Sequence, residues 1–162
     1  MGKNTQSLRQ FSSGGVVYRK FPIKWLVARN NPSELYPNEI WRLQKGWIDD
    51  APGDAPGPMT QGLVKADEKS LQKAAIREVR EEGGVVAKII KKIGTSKYFM
   101  NFKEGRVMKF VTFYLMEYQK DALEGFGFET AEILWLPFPE AYKKLTFSNE
   151  KEFLKKARSL IG

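Results

Sequence analysis

Glu78, Glu81 and Glu82 stand at i, i+3 and i+4 in the run Arg77-Glu78-Val79-Arg80-Glu81-Glu82. On an α-helix, where each residue turns by about 100°, that spacing crowds three carboxylates onto neighbouring positions. They repel one another, and negative charge close to a helix C-terminus opposes the helix dipole. A cation between them relieves both costs. Each carboxylate offers two hard oxygen donors, which suit Mg²⁺ or Mn²⁺, and magnesium held by a few carboxylates plus substrate phosphates is a common device of phosphate chemistry. The same run also fits a solvated helix face, and on charge pattern alone that is the more ordinary outcome.

The remaining composition narrows the chemistry. The 162-residue chain has no cysteine and no histidine. Disulfides, thiolate zinc sites, Cys nucleophiles and histidine general bases are therefore excluded. Catalysis must run on carboxylates, Lys, Arg, Tyr, Ser or Thr and a hard metal. The formal charge is +8, from 27 basic against 19 acidic residues. That excess favours anionic partners such as polyphosphates or nucleic acid. With 42% hydrophobic residues the chain can build a core, and its length fits one ordinary domain over residues 1–162. Met1 to Phe11 is polar and without the apolar stretch of a secretory signal, and no apolar run approaches the roughly 20 residues that span a bilayer. A soluble cytoplasmic protein with no membrane partner, monomeric or homodimeric, is expected.

The glutamates need a scaffold. Ser70 to Glu82 is the clearest helix, with Leu71, Ala75 and Val79 at i, i+4 and i+8 and Gly83-Gly84 as a stop. Leu71, Ala74 and Ala75 lie near one line, and the three glutamates continue it. Gly14 to Arg19 and Lys24 to Ala28 predict a hairpin or two neighbouring strands around a turn at Phe21-Pro22. Trp41 to Leu43, Val85 to Ile93, Val107 to Met116 and Ile133 to Leu136 are further strands. From Asp49 to Gly62 prolines and glycines crowd together and predict a long loop. Two helices close the chain, near Pro139 to Leu145 and over residues 149–161, the latter amphipathic with Lys151, Lys155, Lys156 and Arg158 toward water. The pattern predicts an α/β chain, with a mixed sheet between helices.

Arg77 to Val85 also resembles the core of the Nudix box, R-E-U-x-E-E-x-G-U with U apolar, at every fixed position. Trp41-Arg42-Leu43-Gln44-Lys45-Gly46 is similar to the family's W-x-x-P-K-G segment, with Gln44 in place of the common proline. Asp49 sits where members often carry an acidic residue, and Gly14-Gly15-Val16-Val17 resembles their first strand. The spacing departs inside the box. Aligned from Gly46, it contains a Pro/Gly-rich insertion at about residues 50–67, and Glu68 is a poor equivalent of the first motif glutamate.

The resemblance implies a Nudix fold, an α/β/α sandwich, and a pyrophosphohydrolase that cuts a phosphoanhydride bond with Mg²⁺ or Mn²⁺. By matched positions Glu78, Glu81 and Glu82 would bind metal and act in catalysis. The Gly46 carbonyl would assist, and Arg77 would orient a box glutamate. Glu129, six residues before Trp135, would be a fourth ligand or base, with Glu132 competing for that role. Residues 93–116 and Phe147-Ser148-Asn149-Glu150 resemble the dinucleoside polyphosphate hydrolase branch. Arg42, Lys45, Arg106 and Lys109 are candidates for gripping phosphates, and Tyr98 or Phe99 for stacking on a base. For most of the aromatics plain sheet core is the more ordinary outcome. An RNA 5′ end, ADP-ribose or a nucleoside triphosphate are alternative substrates, and a non-catalytic nucleotide-sensing module is the alternative of another class.

Overall fold

The computed structural model describes residues 8–34, 36–103 and 105–161; Met1 to Ser7, most of the polar N-terminal stretch, lies outside the described residues. Strands β1 (Leu8–Arg19) and β2 (Lys24–Asn30) form the hairpin expected around Phe21-Pro22. β1 also runs parallel to β8 (Gly105–Asp121), which pairs antiparallel with β7 (Val85–Phe102). β3 (Trp41–Arg42) and β9 (Thr130–Leu136) flank β2, and β4 (Gln44–Trp47) pairs with the centre of β1. The result is one mixed sheet whose order runs β3-β2-β1-β8-β7.

Helices cover both faces. The central strands are therefore buried on two sides and read as nearly continuous apolar runs. Val16, Trp25, Phe113 and Leu115 pack with Ala141, Leu145, Phe153 and Leu154 from helices α2 (Phe138–Lys144) and α3 (Ser148–Leu160) and the turn between them. Their strand neighbours Val17, Leu26, Tyr114 and Met116 point the other way. They meet Ala75 and Val79 of α1 (Glu68–Gly83). Gly15 lets α1 approach, since an added Cβ would overlap Val79 and Met116. Ser13 Oγ donates to Leu71 O at 2.7 Å across the same contact.

Two expectations change. β7 and β8 run well beyond the expected Ile93 and Met116, because bulges at three register shifts absorb the irregular residues around Gly94 and the ribbon pairs on to Phe102 and Gly105. The 50–67 insertion is not structureless. β5 (Asp50–Ala51) and β6 (Ala55–Pro56) make a small hairpin, and Asp49 clips the segment that follows. The Asp49 carboxylate accepts the Met59 and Thr60 N–H groups at 3.0 and 2.9 Å and the Thr60 hydroxyl at 2.9 Å. Burial works to raise the Asp49 pKa, but these bonds outweigh it and hold the carboxyl below its ordinary value. Phe11 N–H then donates to Thr60 O at 2.7 Å, fixing the insertion to β1.

Gln44, where the resemblance expects proline, is fully buried, and neither side-chain polar atom has a partner among the described residues. An unpaired buried amide costs about 1–3 kcal/mol. Gln44→Met, close in shape and apolar, is expected to stabilise the fold by about 1 kcal/mol and raise its melting temperature by about 3 °C. A lowered calorimetric midpoint would show that the amide is satisfied after all.

Candidate active site

α1 begins at an Asp67 N-cap, whose carboxylate accepts Ser70 N–H at 2.8 Å, and ends at Gly84 in the left-handed region (φ 68°). Its last turn carries the glutamates. Glu78 and Glu82 are buried, at 9% and 7% exposure, on the same inward face as Ala74, Ala75 and Val79. Glu81 does not follow them inward. At three residues from Glu78 it is turned about 60° to the flank, and its side chain is 59% exposed. Among the described residues no three acidic side chains stand together as a ready-made cation cluster. The inward pair is Glu78 and Glu82.

Burial pushes the Glu78 pKa up to about 8, with the nearby Glu82 and Glu81 charges adding to it and Arg77 opposing. Burial also raises Glu82, to about 7, against the pull of Arg42 and of the Lys45 N–H. Two buried carboxylates one turn apart, each resisting ionisation, form a donor set that a divalent cation fits. Gly46 lies against them, and a Cβ there would overlap the Glu78 carboxylate. The absence of a side chain at Gly46 thus makes the cradle. Arg77 steadies this corner from outside, donating to Trp47 O at 2.5 Å, Ile48 O at 3.3 Å and Glu78 Oε1 at 3.3 Å.

Glu82 and Gly46 line a cavity of about 480 Å³. Lys45, Tyr98 and Lys109 line it too; Tyr98 and Lys109 are directly paired across β7 and β8. Lys109 enters no ion pair among the described residues, and burial, with Lys45 beside it, lowers its pKa to about 8. The cation is uncompensated and faces the cavity. Glu129 is on the rim, whereas Glu132 pairs with Arg29 at 3.2 Å outside it.

The other basic candidates are placed differently from the expectation. Arg42 lines the wall but is bonded to Glu82 Oε1, so its charge is already matched. Lys45 binds Glu150 Oε2 at 2.5 Å; burial alone would lower its pKa, and Glu150 turns the net shift upward. Arg106 is not brought to the cavity, because it stacks 3.6 Å from the Phe99 centroid near the far end of the β7–β8 hairpin. Glu68 is also elsewhere, accepting the Tyr114 hydroxyl at 2.5 Å and Lys92 Nζ at 3.0 Å.

Several residues at the site carry no sequence signal for it. Glu150 was notable only for the resemblance of its segment, yet it is 1% exposed and accepts Leu43 N–H at 2.8 Å as well as Lys45. Tyr36, Phe128 and Phe147 add aromatic edges to the cavity. The β8–β9 connection caps α1: Gly127 N–H donates to Glu81 O at 2.7 Å, Thr130 Oγ1 to Glu82 O at 2.8 Å and Ala122 N–H to Gly84 O at 2.8 Å. Asn31 holds the same connection through Phe128 O at 2.6 Å and Glu129 O at 2.9 Å. Long-range bonds of this kind leave no local pattern.

Comparison with known proteins agrees with this architecture. The NUDIX domain profile matches residues 32–157. A Mycobacterium tuberculosis relative named as a mutator protein, MutT4, is 31% identical over 103 residues, which is 64% of this chain and 41% of the relative. The chain thus spans well under half the length of that relative. Among solved structures, the NUDIX domain of Shewanella oneidensis NrtR, complexed with ADP ribose, superposes with a TM-score of 0.65 at 15% identity, covering 100% of this chain and 94% of the other. The Caenorhabditis elegans Ap4A hydrolase binary complex gives 0.57 at 20% identity, covering 94% and 97%. At such identities these likenesses establish the fold.

Between the ordinary carboxyl value of 4.5 and about 8, the unfolded chain has released the Glu78 proton while the folded chain retains it. Stability from this group is therefore full below about pH 4.5 and falls as pH rises toward 8. The metal-free protein should lose melting temperature over that window relative to Glu78→Gln, and an added divalent cation should restore it most at the upper end. Parallel pH profiles for the two proteins would count against the buried-carboxylate assignment.

Proposed function

The chain belongs to the NUDIX domain family, and on that premise we propose that it is a divalent-metal-dependent pyrophosphohydrolase acting on a nucleoside diphosphate-linked substrate, foremost a dinucleoside polyphosphate. The observation that carries this reading is that one cavity is lined by the buried Glu82 and by Lys109, which has no ion pair among the described residues, while the buried Glu78 lies one helical turn from Glu82 against Gly46 of the same cavity. Glu78, Glu82 and the Gly46 carbonyl would hold the metal, with Glu81 completing the set from the flank of the same helical turn. Bound there, Mg²⁺ or Mn²⁺ supplies charge neutralisation at the bridging phosphates and acidifies the attacking water.

The chain's own groups do the rest. Phosphoryl transfer through a loose transition state depends on position and charge more than on covalent steps. Arg77 fixes Glu78 and the Trp47-Ile48 backbone to one another. Glu129, on the rim, would take the proton of the attacking water. Lys109, with Lys45 near it, would bind phosphate oxygens, and Tyr98, Tyr36 and Phe147 would offer rings to a nucleoside. A substrate with phosphates between two nucleosides uses both ends of such a cavity. The exposed Lys155, Lys156 and Arg158 of α3 favour a triphosphorylated RNA 5′ end as a second reading. A purely nucleotide-sensing module has no use for three glutamates on one turn.

Glu81→Gln is expected to lower Mg²⁺-dependent kcat by about a hundredfold or more with an unchanged melting temperature, since its side chain is exposed. Undiminished turnover rejects the catalytic assignment. Lys109→Met is expected to raise KM for diadenosine polyphosphates by about tenfold with a smaller change in kcat. The same titration with ADP-ribose and triphosphorylated RNA ranks the substrates, and a strong salt dependence confined to RNA would favour the second reading.

A further inference from the structure

A second cavity, of about 440 Å³, lies beneath the insertion. It is on the sheet face opposite Lys109: Phe11 and Phe110 are register partners in β1 and β8, and alternation turns Phe110 away from the side that Lys109 takes. Among the described residues only Ser12 borders both cavities. The two phenyl rings stack at 4.7 Å with 7° between their planes. Their outer faces are covered, Phe11 by Arg9 at 5.8 Å and Phe110 by Lys97 at 5.9 Å. Met59 and Val64 of the insertion and Leu71 of α1 supply further apolar walls.

Two features distinguish this space from a packing defect. The insertion is held in place by the Asp49–Thr60 clip and the Phe11–Thr60 bond, yet Leu63 and Val64 remain 75% and 53% exposed at its edge instead of closing onto the sheet. Moreover, Arg9 and Lys65 line the same cavity and enter no ion pair among the described residues, whereas the third cation, Lys92, is matched by Glu68 at 3.0 Å. Apolar walls beside two unmatched cations complement a molecule with an apolar body and an anionic end. The volume is in the range of small-ligand sites, about 300–1,000 Å³.

We propose that this cavity binds a small amphipathic organic anion, its apolar body against the Phe11 and Phe110 ring edges, Met59, Val64 and Leu71, and its anionic end on Arg9 and Lys65. The site shares no carboxylate or lysine with the hydrolytic cavity, so it stands or falls independently of the proposed reaction.

Anilinonaphthalene sulfonate, two apolar ring systems with one fixed anion, is the probe. Fluorescence titration of the full chain is expected to give saturable 1:1 binding with a Kd on the order of micromolar. The double substitution Arg9→Glu, Lys65→Glu should weaken it by about tenfold or more at an unchanged melting temperature, and Val64→Glu, at an exposed position, should do the same. Lys109→Glu should leave it intact. Displacement by octanoate or by a nucleoside monophosphate then tells a carboxylate source from a phosphate one. Absence of 1:1 saturation, binding indifferent to both charge reversals, or loss of binding in Lys109→Glu overturns the proposal. So does a dimer, seen by sedimentation, that Val64→Glu dissociates without any 1:1 probe binding, since a second copy would then be the occupant.

Discussion

A short stretch of chain from Arg42 to Gly46 is gripped from both sides by buried carboxylates. Glu82, from the helix on one face of the sheet, accepts the Arg42 guanidinium and the Lys45 N–H; Glu150, from the helix on the other face, accepts the Leu43 N–H and the Lys45 ammonium. Burying a carboxylate unpaired is costly, and breaking a buried pair leaves its partner stranded. The four contacts are therefore strongly interdependent. They tie the two helical layers through the β3–β4 segment, and they place Gly46 against Glu78 in doing so.

This clamp explains how charge is divided at the site. Arg42 and Lys45 look from their chemistry like phosphate ligands, yet each already satisfies a buried acid. Lys109 reaches the same cavity from β8 and has no acid to satisfy among the described residues. The unmatched positive charge at the cavity is thus carried by a residue in mid-strand between Met108 and Phe110, while the more conspicuous cations are already paired. The carboxylates are divided as well: Glu82 is pinned by side-chain and backbone donors, Glu78 accepts a bond from Arg77 alone among the described residues, and Glu81 lies on the flank. A metal would meet one rigid and one adaptable inward ligand.

The departures from the Nudix pattern also take on physical meaning. The insertion is tolerated because Asp49, at its first turn, replaces the missing local order with three hydrogen bonds to Met59 and Thr60. Gln44 in place of proline is harder to account for, since its amide is enclosed beside Gly83 and Leu26 without a partner among the described residues; nothing in the structure explains why an amide is kept there.

What the sequence alone determined was whatever is written in short periods. The amphipathic stripe Leu71-Ala75-Val79 and the Gly83-Gly84 stop are local, and they specified α1 to within a turn at each end. The β-branched runs located β1, β2, β3, β7, β8 and β9 without fixing all their ends, and left β4, β5 and β6 unmarked; the spacing of the box glutamates pointed to a cation. Tertiary structure alone decided which groups share a cavity. A periodicity places side chains relative to their own helix axis, so it could not show that the sheet takes Glu78 and Glu82 inward and leaves Glu81 at the edge. Nor could it show that Arg106 is spent on Phe99, that Glu150 locks Lys45 from 105 residues away, or that the β8–β9 connection caps α1. Those outcomes depend on the register of strands distant in sequence, and register is settled only when the two faces of the sheet compete to be buried.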